Sequence, residues 1–241
     1  MARQLMKLEH KKMRRIFVFS APTRFFHWLN ALVVFILIGT GLIIGNPPAF
    51  MFSTEASFLY WFGWVRLIHF SCAYIFIFNW AFRIYWSFNG TKWECWRNFV
   101  PSNKKFFIEI WKVIKYDIFL HRTKEHIGIG HNALAGFSYF MVFILSIFIG
   151  LTGLALYAPM STFEPLMAFT FVTDIMGSEM EVRYWHHLMM WMFVIFTVVH
   201  IYLVLFHDYV EGRGETSSMV GGFKFIEEEC IENNLECDHD D

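Results

Sequence analysis

Four long stretches of this chain contain no Asp, Glu, Lys or Arg: Phe25–Ser53, Leu67–Phe82, Asn132–Phe163 and Tyr184–His207. The second is bounded by Arg66 and Arg83, yet it stays apolar through the aromatic flanks Tyr60–Trp64 and Ile84–Phe88. About 20 helical residues cross a hydrocarbon layer about 30 Å thick. A lipid-facing backbone satisfies its own polar groups only as a helix or a closed barrel. Runs of this length therefore predict four transmembrane helices. The composition agrees, with 56% hydrophobic and only 17% charged residues, against about 25% charge in soluble proteins. Lipid is the first expected partner, and no nucleic acid is expected.

The connecting segments set the orientation. Arg3, Lys7, Lys11, Lys12, Arg14, Arg15 and Arg24 precede the first span, and eight Lys or Arg lie between Gly90 and His131. The segments 46–62 and 159–182 hold none. The excess of positive charge inside places both termini and the middle loop in the cytoplasm of a bacterial inner membrane. The apolar stretch after Arg14-Arg15, Ile16–Phe19, is too short for an export signal. The expected organisation is a basic cytoplasmic N-terminus at 1–24, a transmembrane domain at 25–210 and an acidic cytoplasmic tail at 211–241. Within the inner loop 89–131, apolar residues from Phe106 to Ile118 share one helical face, which predicts an interfacial helix near 103–120. The tail, ending "EEECIENNLECDHDD", reads as disordered or partner-contacting. Cys72, Cys95, Cys230 and Cys237 form no CxxC and read as free thiols.

The spans carry histidines that need a reason. In "WHHLMMWMFVIFTVVH" (Trp185–His200), His186 and His200 lie fourteen residues apart. On a helix that interval turns about 1400°, roughly 40° short of four turns, and rises about 21 Å. Both rings share one face, near opposite edges of the bilayer. His27 and His69 are also in or at spans, where ionisable side chains are costly and usually functional. By topology His27 and His200 lie toward the cytoplasm, His69 and His186 toward the outside. Two pairs result, as bis-histidine ligation of two b-type haems stacked across the bilayer requires. With no CxxCH, attachment is non-covalent.

Arginine strengthens this reading. Arg24, Arg66 and Arg183 each precede a histidine by three residues, at His27, His69 and His186, on the same helix face. Guanidinium suits the two propionates of a haem. Gly39, Gly41, Gly45, Gly150 and Gly153 leave room for a flat macrocycle or, equally, for a neighbouring helix. His187 points about 100° away from His186 and is not an expected ligand.

Several of these stretches are similar to a known family. "RFFHWLNALVVFILIGTG" (Arg24–Gly41), "VRLIHF" (Val65–Phe70), "IGHNALAGFSYF" (Ile129–Phe140) and "RYWHHLMMWMFVIFTVVH" (Arg183–His200) resemble the b-type cytochrome subunit of membrane-bound [NiFe] hydrogenases, over roughly residues 17 to 225. Tyr184 departs from the pattern, where a small residue is usual. The resemblance implies an all-α four-helix bundle and an electron conduit that is not an enzyme on its own. Its partners would be the hydrogenase large subunit and the iron–sulphur small subunit. Electrons would pass from the latter to the outer haem (His69, His186), then to the inner haem (His27, His200), then to menaquinone or ubiquinone. His131 and Asn132 resemble a quinone-contacting stretch in the related formate dehydrogenase gamma subunits, although Asn132 equally suits a helix cap. Two alternatives stay open: a formate dehydrogenase gamma subunit, and a haem-free transporter or anchor that binds metal through these histidines.

Overall fold

The structure is a computed structural model and describes residues 13–49, 60–91, 93–96, 108, 110–111, 133–211 and 214–227. The expected helix near 103–120 falls almost wholly outside these residues, as do Cys230, Cys237 and the chain from 228 onward. In chain order the elements are β1 (Met13–Phe17), α1 (Ala21–Gly45), α2 (Trp61–Asn89), α3 (Ala133–Tyr157), a 3₁₀ turn (Ala158–Met160), α4 (Glu164–Met167), α5 (Thr170–Met176), α6 (Glu179–Glu211), α7 (Glu215–Gly221) and β2 (Phe223–Glu227).

Four helices are long and apolar enough to cross a membrane, at Ala21–Gly45, Trp61–Asn89, Ala135–Met160 and Glu179–Tyr209. Their ends have local causes. Pro22 pre-sets the first turn of α1, and Pro47-Pro48 cannot continue it. At α6 the Ser178 hydroxyl accepts the Glu181 N–H at 3.2 Å, while Glu179 and Glu181 complement the positive end of the helix dipole. Only 6% to 17% of each apolar window is buried. Leu32, Phe35, Phe78, Ile144, Ile195 and Val198 are exposed, so hydrocarbon is the solvent these faces suit.

The chain divides into two units. One joins Phe25–Tyr85 with Met141–Ile201, and aromatic rings form its centre. Trp80 stands 5.4 Å from Phe26, 5.5 Å from Phe143 and 6.3 Å from Phe76. Phe76 meets Phe193 at 6.2 Å, and the Asn79 side-chain amide donates to the Phe26 carbonyl at 3.1 Å. Ala155, Val172 and Val182 form a smaller cluster that seats α5 against α3 and α6.

The other unit joins Met1–Arg24, Trp86–Phe140 and Tyr202–Asp241. It adds one two-stranded sheet to the otherwise helical elements expected from the sequence. β1 and β2 pair antiparallel, Met13 opposite Glu227 through Phe17 opposite Phe223. Arg15, read above as an orientation charge, also lies 3.7 Å over the Phe223 ring. Gly222 takes φ +84°, and a Cβ there would stand 2.6 Å from the Phe19 carbonyl oxygen, so only glycine fits. Glu94 is almost fully buried. It accepts the Ser20 N–H and hydroxyl at 2.7 Å each, the Thr91 N–H at 3.0 Å and the Trp86 indole N–H at 3.2 Å. Burial pushes its carboxyl up, but hydrogen bonds from Thr91 and Ser20 outweigh that and hold it below the usual carboxylate range.

Candidate haem-binding site

His27 lies on α1, His69 on α2, and His186 and His200 on α6. The structure brings His27 and His200 together with ring centroids 6.2 Å apart and planes tilted by 55°. Two imidazoles sharing one metal through bonds of about 2 Å each leave their centroids about 6 Å apart. His186 is within electrostatic reach of His69 and of His187.

The surroundings of His69 and His186 match each other. Thr40 Oγ1 of α1 stands 2.8 Å from His69 Nδ1, and Thr152 Oγ1 of α3 stands 3.0 Å from His186 Nδ1. Each threonine is followed by a glycine facing the same ring. A Cβ at Gly41 would meet His69 Cε1 at 3.5 Å, and one at Gly153 would meet His186 Cε1 at 3.2 Å. At Gly45 it would stand 2.5 Å from His187 Nε2. These three glycines thus admit histidine rings, whereas Gly39 and Gly150 face open space. The two threonines were missed in the sequence. The signal available was a repeated Thr-Gly pair, at Thr40-Gly41 and Thr152-Gly153.

The Arg24 guanidinium donates to the Val220 carbonyl. That of Arg66 points at Met160 Sδ at 2.7 Å, and Arg183 is exposed. Among the described residues none of the three pairs with a carboxylate. His187 Nδ1 is bonded to the Arg183 carbonyl at 2.8 Å. His131 and Asn132 lie outside the described residues.

The sequence pattern of the prokaryotic cytochrome b561 family matches residues 18–222. The chain belongs to that family. It is 36% identical over 219 residues to a probable Ni/Fe-hydrogenase B-type cytochrome subunit of Cupriavidus necator, covering 89% of this chain and 88% of that one. It is 34% identical over 213 residues to a probable Ni/Fe-hydrogenase 1 B-type cytochrome subunit of Escherichia coli K12, covering 86% and 90%. A similarly named Azotobacter vinelandii protein is 33% identical over 223 residues, covering 91% and 92%.

For a prokaryotic cytochrome b561, a b-type haem is the group the family implies, and the residues present fit it. The glycine cradles at Gly41 and Gly153 seat imidazole edges that a larger residue would displace. Imidazole is a common axial ligand of haem iron.

Proposed function

We propose that this chain is the membrane-bound b-type cytochrome subunit of a nickel–iron hydrogenase. In this reading it passes electrons from the hydrogenase iron–sulphur subunit, through two haems, to a membrane quinone. The observation that carries the reading is the 6.2 Å separation of the His27 and His200 rings, in a chain whose relatives bear that subunit's name. Those names favour hydrogenase over formate dehydrogenase as the source of electrons.

Each bound haem supplies a one-electron carrier. The rest is the work of this chain. His69 and His186 would hold one iron, His27 and His200 the other. Arg24, Arg66 and Arg183 sit one helical turn from a ligand and offer guanidiniums to the propionates. The packed rings of Phe26, Phe76, Trp80 and Phe193 keep water and mobile ions from the interior. With both termini in the cytoplasm, His69 and His186 belong to the outer side, where electrons enter. On that side α4 and α5 present Phe163, Met167, Phe171 and Ile175 exposed beside Glu164 and Asp174, with no Lys or Arg from 159 to 182. This surface suits the iron–sulphur subunit. His131 and Asn132 remain the candidates to donate hydrogen bonds to quinone.

Haem stoichiometry tests the proposal. Pyridine haemochrome analysis of the intact complex in native membranes should give two b haems per polypeptide. One haem or none would overturn it.

A further inference from the structure

Resting on His69 and His186 as iron ligands, we infer that Thr40 and Thr152 are positioning residues that fix the tautomer and ring orientation of this pair. A threonine hydroxyl has one hydrogen to give and two lone pairs to receive. Thr40 Oγ1 lies 2.7 Å from the Ile36 carbonyl oxygen and 3.3 Å from that of Leu37. Thr152 Oγ1 lies 2.9 Å from the Phe148 carbonyl oxygen and 3.1 Å from that of Ile149. Carbonyls only accept, so each hydroxyl hydrogen is spent on its own helix. What the oxygen offers the histidine is a lone pair.

The proton therefore sits on Nδ1 of His69 and of His186, donated to threonine at 2.8 and 3.0 Å. The opposite tautomer would turn the hydroxyl hydrogen toward Nδ1, forfeit the bond to the helix carbonyl and leave an N–H on Nε2. In an apolar interior the arrangement that makes both bonds wins. Both rings are thus left with an unprotonated Nε2, the form that ligates iron.

Orientation follows from the same residues. Threonine holds the Nδ1 corner of each ring, and the next residue, Gly41 or Gly153, lies under Cε1. Two corners fixed on a rigid helix set the direction of the third, Nε2. The device occurs twice, from α1 onto α2 and from α3 onto α6. A partner on the distal ring nitrogen also raises the basicity of a ligating histidine. Greater basicity favours the ferric state and lowers the haem potential.

The experiment uses the intact complex in native membranes, with Thr40→Val, Thr152→Val, the two Thr→Ser variants and His69→Ala. Midpoint potentials and low-spin electron paramagnetic resonance signals are read for each haem. Valine keeps the volume and removes the hydroxyl. Each valine variant should raise the potential of one haem, change its resonance signal and weaken its retention about 10- to 100-fold. The other haem should stay unmoved, and serine should restore the native values. Unchanged potential and signal in the valine variants, with His69→Ala still removing a haem, would overturn the inference while sparing the ligand assignment. So would a shift shared by both haems, or loss of haem that serine does not repair. If His69→Ala leaves both haems in place, the ligand assignment itself fails and the inference falls with it.

Discussion

The two proposed histidine pairs sit in one unit of the fold, yet their rings are secured by different forces. In the His69–His186 pair each Nδ1 ends on a threonine hydroxyl of a neighbouring helix, with a glycine against the next ring atom. In the His27–His200 pair, His27 Nδ1 is buried with no partner among the described residues. Ring packing replaces the hydrogen bonds there. His200 stacks on Phe196 at 5.4 Å with planes 16° apart, and His27 meets Trp28 edge-on at 5.3 Å. A directional bond defines the rotation of a ring, whereas dispersion defines mainly its distance. An unpaired buried N–H also costs about 1–3 kcal/mol. The first pair is therefore the stiffer, the second the more tolerant of rotation.

The largest expected effect tests whether these are two pairs at all. His69→Ala and His186→Ala should each abolish the same haem and leave the other reducible, and His27→Ala and His200→Ala should do the reverse. Redox titration of membranes distinguishes the two components. Should His27→Ala and His186→Ala remove the same one, the comparison has no basis.

Next comes the glycine cradle. A Cβ at Gly153 stands 3.2 Å from His186, tighter than at Gly41, where it stands 3.5 Å from His69. Gly153→Ala should cost about 1–3 kcal/mol through overpacking, seen as earlier thermal loss of one haem. Gly41→Ala should cost less. Equal losses would show that the two cradles are not graded by contact distance.

A smaller effect is expected where packing alone secures the ring. Phe196→Leu removes the partner stacked on His200 and should cost about 0.5–1.5 kcal/mol. The loss should appear as broadening of the His27–His200 haem band, with the other haem unaffected. Broadening of both bands would mean that the two environments are not independent.

The smallest effect on either pair is expected at Glu94, whose partners all belong to the other unit. Its carboxyl is held below the usual range, so its folded-state value is the lower one. Its contribution is full above the unfolded value of about 4.3 and is lost as pH falls through the folded value. Thermal unfolding followed from pH 7 to 3 should show this decline, and Glu94→Gln should flatten it with both haem spectra unchanged. An identical pH profile in Glu94→Gln would show that the carboxylate network carries no such stability.

The spans were legible in the sequence because charge is so costly in hydrocarbon that its absence over a helix length is a strong signal. The offset between His186 and His200 was legible too, because it depends on helical geometry alone. Thr40 and Thr152 were not. A threonine in an apolar helix ordinarily bonds back to the carbonyl four residues earlier, and both of these do so. Their second partner lies on another helix. The pairing of Met13–Phe17 with Phe223–Glu227 escaped for a related reason: each strand is only five residues long and is defined by a partner about two hundred residues away.

By itself the sequence determined how many helices are long and apolar enough to cross a membrane and where along each of them histidine lies, since both depend on position along a single helix axis. The tertiary structure decided what each ring faces. Local periodicity gives a side chain's direction only relative to its own helix. The rotation and offset between helices come from packing, here through Trp80 among its aromatic neighbours and glycines that admit a ring. That packing gave two of the four histidines a threonine and left the other two to stacked and edge-on rings.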